Sequence, residues 1–279
     1  MVELWSRATP TSGAWRGTEV TSLAAFAGRL FLAASDPLEI WRSADGLAWG
    51  LVAGGGFADP ANNHSGKLAV FQAQLYVGTS RELVGAPGGP GDGVEIWRSP
   101  DGFAWSAVVA TGELGALLPS GFGLPGNTAA TGLAVFRDQL YVSTVDHPDL
   151  AQVWRFDGSG WEDVTPAEVA SGVVRIQTLA VFGRRIFAGQ GLTLFGAILW
   201  SSSTGEEWAV ANAEGFGEGA NTSVDAMAAS GSHLHVAAQD QKAGVRIWRK
   251  QPSLLDRLPF DFPRCRIFPE LCRPPTPTD

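Results

Sequence analysis

Five times along the chain a run of small apolar residues meets a short polar or glycine-containing break and then resumes as alternating aromatic and aliphatic residues. The copies are "SLAAFAGRLFLAA" from Ser22, "KLAVFQAQLYVGT" from Lys67, "GLAVFRDQLYVST" from Gly132, "TLAVFGRRIFAGQ" from Thr178 and "AMAASGSHLHVAA" from Ala226. Each predicts a tight hairpin of two buried strands, A and B. Between the hairpins lies a second pattern built on tryptophan. Ten of the 11 tryptophans pair as Trp5/Trp15, Trp41/Trp49, Trp97/Trp105, Trp154/Trp161 and Trp200/Trp208, leaving Trp248 over. The spacing within four of these pairs suits two further short strands, C and D, joined by a turn.

The unit is therefore four short antiparallel strands, repeating roughly every 45 to 57 residues, which is the length and content of a propeller blade. Five A/B hairpins predict an all-β, five-bladed β-propeller over residues 1–250, followed by a Pro-rich tail over 251–279. Small strand-A residues such as Ala24, Ala25, Ala69, Ala134 and Ala180 suit the crowded centre. The larger side chains of B, C and D suit the widening space outside. A sheet edge left open would invite pairing with other chains. The last blade is therefore expected to close by joining the two termini, with "AWRGTE" from Ala14 as its D strand. Two segments compete for its C strand, Val245–Lys250 and Glu3–Arg7, and the short connection from strand B favours the former.

Composition supports a strand-and-turn fold: 35 Gly and 17 Pro stand in 279 residues, and 45% of the chain is hydrophobic. The net charge of −8, with no dense Lys/Arg run, argues against nucleic acid. No apolar stretch is long enough to span a bilayer, and the first eleven residues lack the order of a signal peptide, so no membrane insertion is expected. An extracellular or cell-surface setting is favoured over a cytoplasmic one. Cys265 and Cys272, in the tail, either close a small disulfide loop or remain free thiols, and two cysteines without a nearby histidine do not make a zinc site.

The turns between C and D carry a motif. "SADGLAW" (Ser43, Asp45, Gly46, Trp49) and "SPDGFAW" (Ser99, Asp101, Gly102, Trp105) resemble the Asp-box, or BNR repeat, of sialidase-like propellers. "FDGSGW" (Asp157, Gly158, Trp161) and "STGEEW" from Ser203 are looser copies. This chain writes the motif one residue shorter than the usual S-x-D-x-G-x-T-W, and Thr204 replaces the acid in the fourth copy. The motif's chemistry is local: the acid accepts backbone N–H bonds, glycine supplies a positive φ, and tryptophan starts the next strand. These turns are expected to be structural, with Ca2+ binding by their carboxylates the lesser alternative and no metal site or cofactor otherwise expected. Sialidase-like enzymes use an arginine cluster and a Tyr/Glu pair. Tyr76 and Tyr141 instead recur at one place in strand B, and Arg42, Arg98, Arg155 and Arg249 recur after the C-strand tryptophan. The resemblance thus carries the fold motif without catalytic residues.

Function is expected on the opposite face, where the longer D–A and B–C connections lie (Ala53–Gly66, Ala110–Ala130, Ser80–Gly93). There Gly-Phe is followed by Asn in three blades, giving Asn62, Asn127 and Asn221. These amides either tie down their loops or form a set of like polar sites for a sugar or peptide. Asn63, His64, Asp146 and His147 complete the ligand-binding candidates, while His233 and His235 suit a structural role. The leading expectation is a non-catalytic module that binds a glycan or protein. One alternative is a glycosidase-like enzyme whose carboxylates converge from Glu82, Asp92, Glu113, Asp146, Asp149, Glu168, Glu214, Glu218 and Asp225. The other is an assembly subunit that reaches neighbouring subunits through the surplus strand and tail 251–279.

Overall fold

The structure is a computed structural model describing residues 16–64, 66–81, 93–146, 150–166, 169, 175–191, 196–240 and 242–251. Nineteen strands among these residues form five antiparallel sheets, each a meander in chain order. Blade one holds β1 (Glu19–Phe26), β2 (Arg29–Ser35), β3 (Glu39–Ser43) and β4 (Trp49–Ala53). Blade two holds β5 (Lys67–Phe71), β6 (Gln74–Gly78), β7 (Ile96–Ser99) and β8 (Ser106–Val109). Blade three holds β9 (Asn127–Phe136), β10 (Gln139–Asp146), β11 (Leu150–Phe156) and β12 (Trp161–Asp163). Blade four holds β13 (Ile176–Phe182), β14 (Arg185–Gln190), β15 (Leu199–Ser202) and β16 (Trp208–Val210). Blade five has three described strands, β17 (Asn221–Ser230), β18 (His233–Asp240) and β19 (Gly244–Lys250). The chain is a five-bladed β-propeller.

Each A/B hairpin turns through two residues, as in the pairing of Phe26 with Arg29. In three of them both turn residues take positive φ: Ala27 and Gly28, Gln72 and Ala73, Arg137 and Asp138. That is the turn whose twist matches the flanking strands. The hydrophobic core lies between blades rather than within them. Phe26, Phe31, Ala33, Leu38 and Ile40 of blade one meet Leu68, Leu75, Val77 and Trp97 of blade two. The same pairing recurs at the next three seams, with Tyr76, Tyr141 and Phe187 in the place of Phe31. Tyr76 and Tyr141 are buried scaffold residues.

The fifth seam differs. In β19, Val245 and Ile247 are 64% and 65% exposed, whereas their counterparts Leu38, just ahead of β3, and Ile40 in β3 are 1% and 0% exposed. Facing it in sequence terms, Leu23 of β1 is 63% exposed, while its counterpart Leu68 is 8% exposed. The core cluster on this side of blade one contains blade-one residues only, Leu32, Ala34 and Trp41 with Trp49 beside them. The competition for the last C strand is decided: Val245–Lys250 pairs with β18 as β19. Glu3–Arg7, Ala14, Trp15, Cys265 and Cys272 lie outside the described residues. The described part of the expected outer strand, Arg16–Glu19, does not form one. Thr18 N–H donates to Ser35 O, and Glu19 already opens the inner strand β1.

The C–D turns are closed by their own side chains. Asp45 Oδ1 accepts the Leu47 and Ala48 N–H groups at 2.8 and 2.9 Å, and Ser43 Oγ accepts Gly46 N–H at 2.8 Å. Asp101 and Ser99 repeat this geometry, and Asp157 accepts Ser159 and Gly160 N–H at 2.7 and 2.9 Å. In blade four the Thr204 hydroxyl accepts two N–H bonds at a longer 3.2 Å. The turn glycine also makes a contact between blades. A Cβ on Gly102 would lie 2.3 Å from the Phe31 ring of the preceding blade, and one on Gly205 would lie 1.8 Å from Tyr141 Oη.

Those N–H bonds set an acid limit on stability. Bonds from Gly160 and Ser159 lower the Asp157 pKa to about 2, and Asp45 and Asp101 are shifted the same way. A carboxyl whose pKa is lower folded than unfolded stabilises fully above its unfolded value, near about 4, and loses that contribution as pH falls through the folded value. Asp157→Asn keeps an acceptor oxygen but cannot titrate. Its thermal midpoint should therefore fall less steeply than wild type between about pH 4 and about pH 2. Parallel slopes for the two proteins would refute this role.

Candidate functional site

The D–A and B–C connections share one face and bond to each other. Asp36 N–H donates to Asn63 O, His64 N–H to Ser80 O, and Arg81 N–H to Thr128 O. At the centre of this face the inner strands begin, and a cavity of about 480 Å³ opens among them. Its wall comes from four blades: Glu19, Val20 and Thr21 of β1, His64 and Lys67 around the start of β5, Ala129 to Thr131 of β9, and Arg175 and Gln177 around the start of β13. Ser80 and Val145, at the ends of two B strands, complete it.

Several wall hydroxyls serve the scaffold. Thr21 Oγ1 donates to Gly66 O at 2.8 Å, and Thr131 Oγ1 donates to Ile176 O at 2.5 Å, so each ties one inner strand to the next blade. Lys67 is different. Its side chain is half-buried, burial lowers its pKa below the ordinary lysine value, and its ammonium has no hydrogen bond or ion pair with a described residue. Glu19 is the one described carboxylate on the wall.

Of the expected binding residues, His64 lies on the cavity wall with an exposed side chain. Asn63 is half-buried and contributes its carbonyl to the loop bond with Asp36. Asn62, Asn127 and Asn221 are fully buried, which corrects their placement among ligand-binding residues: they offer no surface to a ligand. Each Nδ2 donates to the carbonyl six residues earlier, Gly56, Gly121 or Gly215. Asn62 also donates to Glu95 and accepts from Thr79, and Asn127 donates to Gln152 and accepts from Thr144. Glu95 and Gln152 in turn accept the indole N–H of Trp97 and Trp154. Desolvation raises the Glu95 pKa against the opposing effect of these donors.

This amide anchors an aromatic wedge. Gly56-Phe57, Gly121-Phe122 and Gly215-Phe216 all hold left-handed backbone at both residues, with φ between 56° and 67°. That conformation turns the phenyl ring into the next blade, where Phe57 stacks on Trp97 at 4.9 Å and Phe122 on Trp154 at 4.6 Å. Phe216 stacks on Trp248 at 5.2 Å. Asp146 ends β10, and His147 lies outside the described residues.

Of the loop acids, Glu82, Asp92, Asp149 and Glu168 also lie outside the described residues. Glu218 pairs with Arg246 at 2.6 Å, and Asp225 accepts from Ser223. Among the described residues no group of three His, Cys, Asp or Glu is placed to hold a metal ion, and no helix is long and apolar enough to cross a membrane.

Sequence reasoning missed Glu19, Lys67, Arg175 and Gln177. A signal was present in the aligned repeats. Glu19, His64, Ala129, Arg175 and Ser223 occupy one place just ahead of the common strand-A pattern, and there the blades disagree.

No protein-family model matches the chain, and no curated protein matches it. Among solved structures it is similar to a luciferin-regenerating enzyme, with a TM-score of 0.56 and 14% identity over 84% of this chain and 78% of that one. It is also similar to the extracellular domain of a one-component system from B. thetaiotaomicron, with a TM-score of 0.53 and 13% identity. That match covers 86% of this chain and 28% of the other. At these identities the likeness is one of fold.

Proposed function

We propose that the chain is a non-catalytic binding propeller, built on Asp-box turns, that takes a glycan or protein ligand at the central cavity of its D–A/B–C face. One observation carries this reading. The cavity is walled by polar residues that vary from blade to blade, on a scaffold whose other features repeat. Its volume is within the range of small-ligand sites. Hydrolysis by the usual two-carboxylate mechanism needs a facing pair of acids, and the described wall holds Glu19 alone, which favours binding over glycosidase chemistry.

A glycan and peptide array probed with the wild-type protein and with Ala129→Phe tests it. Ala129 lines the cavity from within strand β9, and the added ring takes up part of the space. Wild type should retain ligands that the variant loses by about tenfold or more, with unchanged circular dichroism. Equal retention by the two proteins would move the site elsewhere.

A further inference from the structure

We propose that the cavity selects a small hydroxylated carboxylate, of uronate or aldonate type, and that the Lys67 ammonium meets the carboxylate group. The inference rests on the cavity being the binding site.

The charge of the wall is the first argument. Among the described wall residues the lysine and arginine side chains, Lys67 and Arg175, stand with one carboxylate, Glu19, on a chain whose net charge is −8. A cation held against the sign of the whole protein does not arise from the general field; it is set by the residue at that spot.

Lys67 itself is the second. The corresponding residues in the other blades are Ser22, Gly132, Thr178 and Ala226, all small. Ser22 shows the scaffold role of the position, since its hydroxyl accepts Leu68 N–H at 3.0 Å. A lysine does not continue that role. It places an ammonium where water is partly excluded, without a described partner to compensate. Such a group opposes folding until an anion is seated beside it. A carboxylate supplies charge-assisted hydrogen bonds to the partly desolvated ammonium.

The remaining wall explains the hydroxylated partner. The Gln177 amide and the His64 ring add donors and acceptors around a space lined by residues of four blades, which suits a compact polyol better than an extended peptide.

Calorimetric titration of the full chain with glucuronate and with glucose separates charge from shape. Wild type should bind glucuronate at least about tenfold more tightly than glucose, and the preference should shrink as salt is raised. Lys67→Met keeps the apolar stem and removes the charge; it should lose about tenfold or more in glucuronate affinity, whereas Lys67→Arg should retain most of it. The methionine variant should melt no lower than wild type, because it removes a desolvated charge. Glucose binding equal to glucuronate, or glucuronate binding unchanged in Lys67→Met, overturns the carboxylate assignment and leaves cavity binding standing. Failure of both probes, beside an array ligand that Ala129→Phe loses, likewise overturns this assignment alone. Failure of both probes with no such array ligand overturns the cavity reading as well.

Discussion

Replacing Phe122 by alanine should cost about 4 kcal/mol of stability, measured as the difference in unfolding free energy by urea denaturation. Phe122 is 5% exposed and is held by two indoles of the next blade, stacked on Trp154 at 4.6 Å and edge-on to Trp161 at 5.0 Å. Its removal leaves a cavity at the seam and forfeits both ring contacts, each worth about 0.5–1.5 kcal/mol beyond burial. Alanine does not recover the backbone strain, because φ at this position is 60° and any side chain disfavours it.

The equivalent change at Phe216 should cost about half as much. That ring is half-buried, and its one described aromatic contact is the stack on Trp248, in a blade whose described strands number three. A loss below about 1 kcal/mol for Phe122→Ala would show that the wedge does not hold the blades together.

Asn127→Ala should be nearly as damaging, about 3 kcal/mol, since it strands several buried groups at once. The amide donates to Gly121 O at 3.0 Å and Gln152 Oε1 at 2.5 Å, and accepts Thr144 Oγ1 at 2.8 Å. Gln152 keeps the Trp154 indole N–H, but the Gly121 carbonyl and Thr144 hydroxyl are left without the amide. Asn221→Ala should cost less, about 1–2 kcal/mol, because Asn221 Oδ1 has no hydrogen-bond partner to lose. Chemical denaturation measures both changes. If instead Asn127→Ala left stability intact and abolished ligand retention on the array, the amide would be a binding residue and its buried network incidental.

These two side chains show where sequence reasoning stopped. The Gly-Phe and Asn repeats are visible as letters at fixed spacing, and tying down a loop was one of the two roles open to the amide. The choice between tie and binding site depends on partners 17 and 25 residues away, Thr144 and Gln152, which reach Asn127 only when strands β10 and β11 lie beside it. Likewise, the segment from Ala14 to Glu19 reads as one outer strand on paper, but Glu19 pairs with Ser35 as the first residue of inner strand β1 and so belongs to another blade.

The sequence by itself determined the blade: local turn chemistry, period-two burial and paired tryptophans act within about fifty residues, so each repeat writes its own strands. Tertiary structure alone decided the site. Glu19, Lys67 and Arg175 belong to three different blades, and none is distinguished within its own repeat. They share one cavity because the inner strands of successive blades converge on a common centre. The chemistry that varies from blade to blade gathers there; the aligned repeats show that it varies, and only the ring shows that it meets.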